Sequence, residues 1–434
     1  MRMRRETTRV IRSWRESFME IQYTGAKFVS YSALMRIPLT ITTLSGLEPV
    51  LEQELRSLGM QVLDKARQAV TCSGTEESVY RLNLSLRTGL RVLWEIHRAP
   101  IQSVQELYRE AKSIPWEHFI HPHKTIAVSV SCPMLSWASP RYLPLAVKDA
   151  VVDRFSETFG KRPSVDPHAP HLPIHLHIEG KVGVFSLDTS GESLHRRGYR
   201  LEKNLAPVNE VLAAGILKLI GWAPNFPLYD PMCGSGTFLV EAGLMAYGIP
   251  PGILRTHFAF QNWKLFDKSL YEKVRKELEE SAERSKVGKR PAANSAVTGG
   301  VPTECSIFGS DRDPNALEIT RRNLSRAGLQ GKVRLFPGAF EALPPPFPPE
   351  QGGFLLMNPP YGKRLKDPEL ETLYRTIGDT LKKKYAGVQA WILSGNPEAA
   401  KHIGLRPFKK YALKNGPLDC KLFGFTLRQG KYTT

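Results

Sequence analysis

Cysteine is scarce in this 434-residue chain: Cys72, Cys132, Cys233, Cys305 and Cys420 lie scattered, with no C-x-x-C pair. That spacing argues against a disulfide framework or a zinc knuckle and fits a reducing compartment, so a cytoplasmic location is expected. Long apolar runs are also missing. None approaches the ~20 residues that cross a bilayer, and no membrane partner is expected. Neither G-x-G-x-x-G nor G-K-[ST] occurs, which leaves out the standard dinucleotide fingerprint and the P-loop. Acidic residues are few: 42 Asp+Glu stand against 60 Lys+Arg, a formal net charge of +18. Such an excess favours a polyanionic partner.

What remains is ordinary for a globular protein, with 41% hydrophobic and 24% charged residues. The length predicts two to three domains. Residues 1–36 carry eight Lys/Arg and three Glu but no apolar segment, so they are no secretory signal. A transit peptide with an organellar destination, a basic RNA-binding arm and a mis-assigned start all stay open for them.

From residue 37 the pattern becomes regular. I-P-L-T-I-T-T predicts a strand, and Leu47–Leu51 open an amphipathic helix that Gly59 stops. A strand near 61–72, a helix near 75–84 and a strand near 90–99 follow. Lys124–Cys132 alternates as a strand, Tyr142–Phe159 as a helix, and 174–188 as a hairpin around Gly180-Lys181. This half reads as α+β with no sign of chemistry. Residues 189–200, T-S-G-E-S-L-H-R-R-G-Y-R, read as a basic linker. Strand and helix then alternate to the end, which predicts a parallel α/β sheet. A charged helix (Tyr271–Lys286) and a low-complexity stretch interrupt it.

Three segments of the second half carry chemistry. In F-P-L-Y-D-P-M-C-G-S-G-T (226–237) a strand ends at Asp230, and Gly234 and Gly236 turn the chain into a helix that starts near Thr237. Glycines there allow close approach of a ligand to the helix N-terminus. In S-I-F-G-S-D-R-D-P (306–314) a strand ends at Asp311, whose carboxylate can accept from two ribose hydroxyls. One of Asp311 and Asp313 is expected to cap the next helix. In F-L-L-M-N-P-P-Y (354–361) a buried strand delivers Asn358, Pro359, Pro360 and Tyr361 to one place. The prolines donate no N–H, so nearby carbonyls stay free to accept. With the Asn358 amide oxygen and the Tyr361 ring, this suits an exocyclic base amine, stacked out of its helix.

Asn-Pro-Pro-Tyr, with the glycine loop before it and G-x-D-x-D-P between, resembles the amino-group methyltransferases that use S-adenosyl-L-methionine. Further segments extend the match: T-S-G-E-S-L-H-R-R-G-Y-R, A-P-V-N-E-V-L-A-A-G-I-L (206–217) and K-N-G-P-L-D-C (414–420). Together they resemble THUMP-domain RNA methyltransferases, closest to the catalytic half of the bacterial enzyme that methylates guanine N2 in 23S ribosomal RNA. The resemblance implies a ferredoxin-like segment (37–100), an RNA-binding THUMP domain (101–190), a basic linker (191–205) and a Rossmann-like class I methyltransferase domain (206–434). It implies that Asp230, Pro231, Cys233, Gly234, Gly236 and Thr237 line the methionine side of the cofactor, with Asp311 and Asp313 near the ribose. Asn358, Pro359, Pro360 and Tyr361 would hold the target guanine. Where relatives carry an acidic residue for the adenine, this chain has Ala339, leaving the backbone or Phe340 for that role. Some relatives continue into a second methyltransferase domain, so one activity is expected here.

Arg196, Arg197, Arg200, Lys363, Arg364, Lys414 and Asn415 are the expected RNA contacts, although a solvated linker would also explain the arginines. Cys233 as a covalent nucleophile is disfavoured, because an exocyclic amine needs none. His168, His171, His175 and His177 lack further ligands at metal spacing. A monomer or weak dimer is expected. Guanine N2 of tRNA, adenine N6 of RNA or DNA, and a non-catalytic RNA-binding assembly factor remain as alternatives.

Overall fold

The computed structural model describes residues 36–133, 135–200, 208–286, 306–360 and 367–428. They form two compact units. One holds the residues up to Thr43, Leu51–Leu194 and Arg255–Lys276; the other holds Leu44–Val50, His195–Leu254 and the residues from Glu277 onward.

The first unit is built on an eight-stranded sheet. In chain order its elements are β1 (Ile37–Thr42), α1 (Glu48–Ser57, whose residues up to Val50 belong to the other unit), β2 (Gln61–Ala66), β3 (Ala69–Gly74), α2 (Glu76–Ser85), β4 (Arg91–Pro100), α3 (Val104–Ser113), β5 (Thr125–Ser131), α4 (Leu143–Phe159), β6 (Ser164–Val165), β7 (Leu172–Glu179) and β8 (Val182–Asp188). The strand order is β2-β3-β1-β4-β8-β7-β5-β6. Local chemistry sets the boundaries. Thr75 and Ser78 form a reciprocal capping box at the start of α2. Ser103 caps α3, and Gly160, at φ +63°, ends α4.

The predicted single strand at 61–72 is two strands. β2 and β3 form an antiparallel hairpin that turns at Gln68, whose φ is +59°. No glycine or proline marks that turn, so the apolar pattern runs straight through it. Residues 189–200 are also unlike an exposed linker. Thr189, Ser190, Leu194, Arg197 and Tyr199 are all buried.

The second unit contains α5 (Glu210–Leu219), β9 (Leu228–Asp230), α6 (Thr237–Ala246), β10 (Ile307–Asp311), α8 (Pro314–Arg326), β11 (Arg334–Pro337), β12 (Phe354–Met357), α9 (Asp367–Lys384), β13 (Gln389–Ser394), β14 (Lys409–Asn415) and β15 (Leu418–Thr426). The helix between α6 and α8 in the chain, α7 (Lys268–Lys286), begins in the first unit's segment and ends in the second's. Strand order is β11-β10-β9-β12-β13-β15-β14. Five strands are parallel, but β15 runs antiparallel to β13 and to β14. β14, reversed twice relative to β13, shares the direction of those five, so the prediction of a parallel sheet to the end fails for β15 alone. Gly416 (φ +61°) makes the short turn between them.

The sheet is buried on both faces. Leu355, Met357, Ile392 and Phe423 pack with Tyr374, Ile377 and Leu381 of α9 in one cluster. Each such side chain contributes roughly 1.5–3 kcal/mol of burial. The chain proceeds from β9 to β10 and β11 on one side, then to β12 and β13 on the other. The strand order reverses between β9 and β12, which is where an open α/β sheet forms its ligand crevice.

Candidate active site

β9 is only three residues long, and all three are buried. Its neighbours overshoot it. Asp230 lies opposite Gly309 of β10, so Asp311 extends two residues further. Tyr229 lies opposite Leu355 of β12, so Asn358 overshoots by the same amount. The glycine loop thus emerges in a notch with Asp311 on one side and Asn358 on the other. At a strand spacing of about 4.8 Å, the notch is roughly 10 Å across.

The loop is anchored through both its N–H groups and its carbonyls. Asp230 Oδ1 accepts the Met232 N–H at 3.2 Å, and the Ser310 carbonyl accepts the Cys233 N–H at 3.0 Å. The Ser310 hydroxyl meets the Tyr229 hydroxyl at 2.7 Å and donates to the Pro231 carbonyl at 3.2 Å. From α8, Thr320 Oγ1 donates to the Gly234 carbonyl at 2.8 Å, and Asn323 Nδ2 to the Ser235 carbonyl at 2.9 Å. Gly234 donates its N–H to Asp311 Oδ2 at 2.9 Å.

Both glycines sit in the left-handed region, at φ +54° and +77°. A Cβ on Gly236 would lie 2.6 Å from Thr320 Cγ2, so glycine is required for the close loop–helix contact. A Cβ on Gly234 would meet nothing within 4 Å, so that side of the loop is open. Gly236 begins α6 with no side-chain cap, leaving the helix N-terminus without a protein acceptor of that kind.

Electrostatics separate the groups. Burial, with a smaller push from the Asp311 charge, holds the Asp230 carboxyl well above the usual carboxylate range; the Met232 N–H works against it. Burial also pushes the Cys233 thiol up, and both aspartates add to this. A buried thiol held protonated is a poor nucleophile. It packs with its Sγ 3.9 Å from Thr320 Oγ1.

At the far side of the notch, Asn358 Oδ1 is buried with no hydrogen-bond partner among the described residues. Pro359 beside it is buried and Pro360 half-buried. Tyr361, Lys363 and Arg364 lie outside the described residues.

Several expected roles need correction. Asp313 caps α8 through Oδ1, which accepts the Asn315 N–H at 2.9 Å, the cap expected of one of the two aspartates. The Phe340 ring is 2% exposed and packs against Tyr385 and Tyr229 in the core, so it cannot stack on adenine. Ala339 is half-buried and keeps only its backbone for that role. Arg197 is no phosphate ligand: it is buried with Glu241, Nε to Oε1 at 3.5 Å, and Tyr199 donates to the same oxygen at 3.2 Å. Arg200 points inward, to Thr237, Val208 and Glu210. Asn415 is buried and accepts the Asn209 N–H at 3.2 Å. Arg196 is exposed, and Lys414 is half-exposed and paired with Asp419 at 2.9 Å. Tyr229, Ser310, Thr320 and Asn323 were not anticipated. The signal for the last two was faint: two polar residues three apart on the apolar side of a helix.

The family described as "RMKL-like, methyltransferase domain" matches residues 197–423. The chain belongs to this methyltransferase family. Its first half matches the RlmL ferredoxin-like domain at 38–93 and the THUMP domain at 102–188. Among curated proteins, the ribosomal RNA large subunit methyltransferase K/L of Syntrophotalea carbinolica is 38% identical over 90% of this chain and 54% of its own length. The chain spans about half the length of the K/L relatives it matches. The protein slr0064 of Synechocystis sp., named as an RNA methyltransferase, is 35% identical over 92% of this chain and 98% of its own. Among solved structures, SMU.472 in complex with S-adenosylhomocysteine is 28% identical, with a TM-score of 0.76 over 91% of this chain and 99% of that one. A Listeria monocytogenes protein described as an N6-adenine-specific DNA methylase is 26% identical, with a TM-score of 0.78 over 93% and 100%.

The cofactor of this methyltransferase is S-adenosylmethionine. The residues present fit it: a loop open above Gly234, an uncapped helix N-terminus for a carboxylate, and an oriented carboxylate at Asp311 for hydroxyl donors.

Proposed function

We propose that this chain methylates the exocyclic N2 amine of a guanine in large-subunit (23S) ribosomal RNA. The names of the K/L relatives, the THUMP match and the +18 charge support RNA as the polymer. The observation that carries the amine is Asn358 Oδ1, a buried acceptor without a partner at the open end of β12. An unmet buried acceptor costs roughly 1–3 kcal/mol, which a bound N–H donor recovers.

In this reading Gly234, Gly236 and Asp230 seat the methionine part of the cofactor, Asp311 takes the ribose, and the backbone beside Ala339 borders the adenine. The cofactor supplies a methyl group on a sulfonium, open to direct in-line displacement by the amine nitrogen. The protein's own task is placement. Asn358 accepts one amine N–H and turns the nitrogen lone pair away from the ring system, and Pro359 closes that side of the notch to water. Positioning and exclusion of water supply most of the acceleration. The proton lost from nitrogen passes to water. With the Cys233 thiol held protonated, no covalent enzyme intermediate enters.

Mass spectrometry of nucleosides from ribosomal RNA of a strain lacking the gene, compared with its parent, tests the proposal. Loss of N2-methylguanosine from the large-subunit RNA is expected. Loss of N6-methyladenosine instead, or of a modification confined to tRNA, would overturn the substrate assignment.

A further inference from the structure

Arg200 looks from the sequence like one more cation of a basic linker. Its position says otherwise. Nη2 donates to Thr237 Oγ1 at 2.5 Å and to the Val208 carbonyl at 3.2 Å, and Nη1 lies 3.3 Å from Glu210 Oε1. Thr237 is 5% exposed and is the first residue of α6, directly after Gly236. A guanidinium can only donate. The threonine oxygen is therefore fixed as acceptor toward Arg200, and its own O–H must point elsewhere. Among the described residues, no hydrogen bond donated by that hydroxyl occurs. The same helix end has no side-chain cap, so its first N–H groups and this hydroxyl form one set of donors. Arg200 Nε is itself buried and unpaired among the described residues.

We propose that Arg200 is a positioning residue for the cofactor: by holding Thr237 as a donor, it shapes the end of α6 to receive the carboxylate of the amino-acid moiety. This deepens the cofactor seat proposed above and rests on it. Glu210 keeps the guanidinium turned to Thr237. Burial raises the Glu210 carboxyl, and the Arg200 charge works against that rise. The charge of Arg200 then reaches an arriving carboxylate through Thr237.

Two ligands separate this role from a purely structural one. S-adenosylhomocysteine carries the carboxylate; 5′-methylthioadenosine has the same nucleoside and sulfur without it. Binding of each to the full chain is measured by calorimetry for the wild type, Arg200→Lys, Arg200→Met and Thr237→Val. The homocysteine ligand is expected to weaken about tenfold in Arg200→Met and Thr237→Val and less in Arg200→Lys, while methylthioadenosine stays within twofold throughout. Thr237→Val keeps the side-chain shape, so it remains informative where Arg200→Met folds poorly. Equal weakening of both ligands, or no change in either, would overturn the positioning role alone. Failure of the wild type to bind S-adenosylhomocysteine would overturn the cofactor seat and this role with it.

Discussion

Asp311 Oδ2 accepts the Gly234 N–H at 2.9 Å across 77 positions of sequence. Its other oxygen accepts the Asp313 N–H at 3.0 Å. The acidic group at the end of β10 and the glycine loop after β9 are thus one rigid device, with the carboxylate already oriented.

Asp311→Ala removes both a loop anchor and a proposed ribose acceptor. A hydrogen bond to a charged group is worth about 1.5–3 kcal/mol, so S-adenosylhomocysteine should bind roughly 10- to 100-fold more weakly. Asn358→Ala should lower methyl transfer at least about 100-fold while sparing that affinity. Calorimetry and labelled-methyl incorporation check the pair; equal cofactor loss in both variants would refute the division of roles.

The two loop glycines should respond differently to alanine. At Gly236 the new methyl meets Thr320 Cγ2 at 2.6 Å and the backbone is left-handed. Gly236→Ala should cost about 1–3 kcal/mol of stability. At Gly234 the space is open, so only the backbone cost of about 1 kcal/mol applies, and the loss should appear in cofactor affinity instead. Urea titrations beside calorimetry would reveal the split, and indistinguishable variants would contradict it.

Arg197 and Glu241 are a buried pair. Removing Glu241 takes the carboxylate from a buried guanidinium and the acceptor from the Tyr199 hydroxyl, so Glu241→Ala should destabilise by about 3–5 kcal/mol. Arg197→Met should leave the salt dependence of RNA binding unchanged, whereas a phosphate contact would lower the slope by about one. A reduced slope with an unchanged urea midpoint would restore the phosphate role.

Asp230 offers a test in pH. Its carboxyl is raised by burial and by Asp311, so the folded chain keeps a proton that the unfolded chain releases near pH 4. The stability this proton contributes is complete below about pH 4 and is lost as pH rises through the folded value. Asp230→Asn keeps an oxygen for the Met232 N–H and removes the buried charge. Its melting temperature should exceed the wild type's at pH 8, with a smaller difference at pH 5. The same difference at both pH values would show that Asp230 is not the titrating group.

The parallel core was legible in the sequence because each strand ends in a distinctive residue: Asp230, Asp311 or Asn358. The notch was not, because it depends on register, and nothing in L-Y-D says that β9 stops two residues short of its neighbours. The buried arginines were misread for a related reason. Arg197 and Arg200 look like linker cations until Glu241 and Glu210, ten or more positions away, are brought beside them. Thr320 and Asn323 stayed hidden because polar groups on a helix usually face water. Phe340 was misplaced because hydrophobicity does not say whether a ring lines a pocket or fills a core.

The division of the chain between its units bears on synthesis. A ribosome releases the chain from the N-terminus, and domains generally fold as their last residue emerges. The first unit includes Arg255–Lys276, which follow α6 of the second. It therefore cannot be completed when residue 194 appears. It must wait until the second unit's glycine loop and first helices have left the exit tunnel, while the strands from Ile307 onward are still to come.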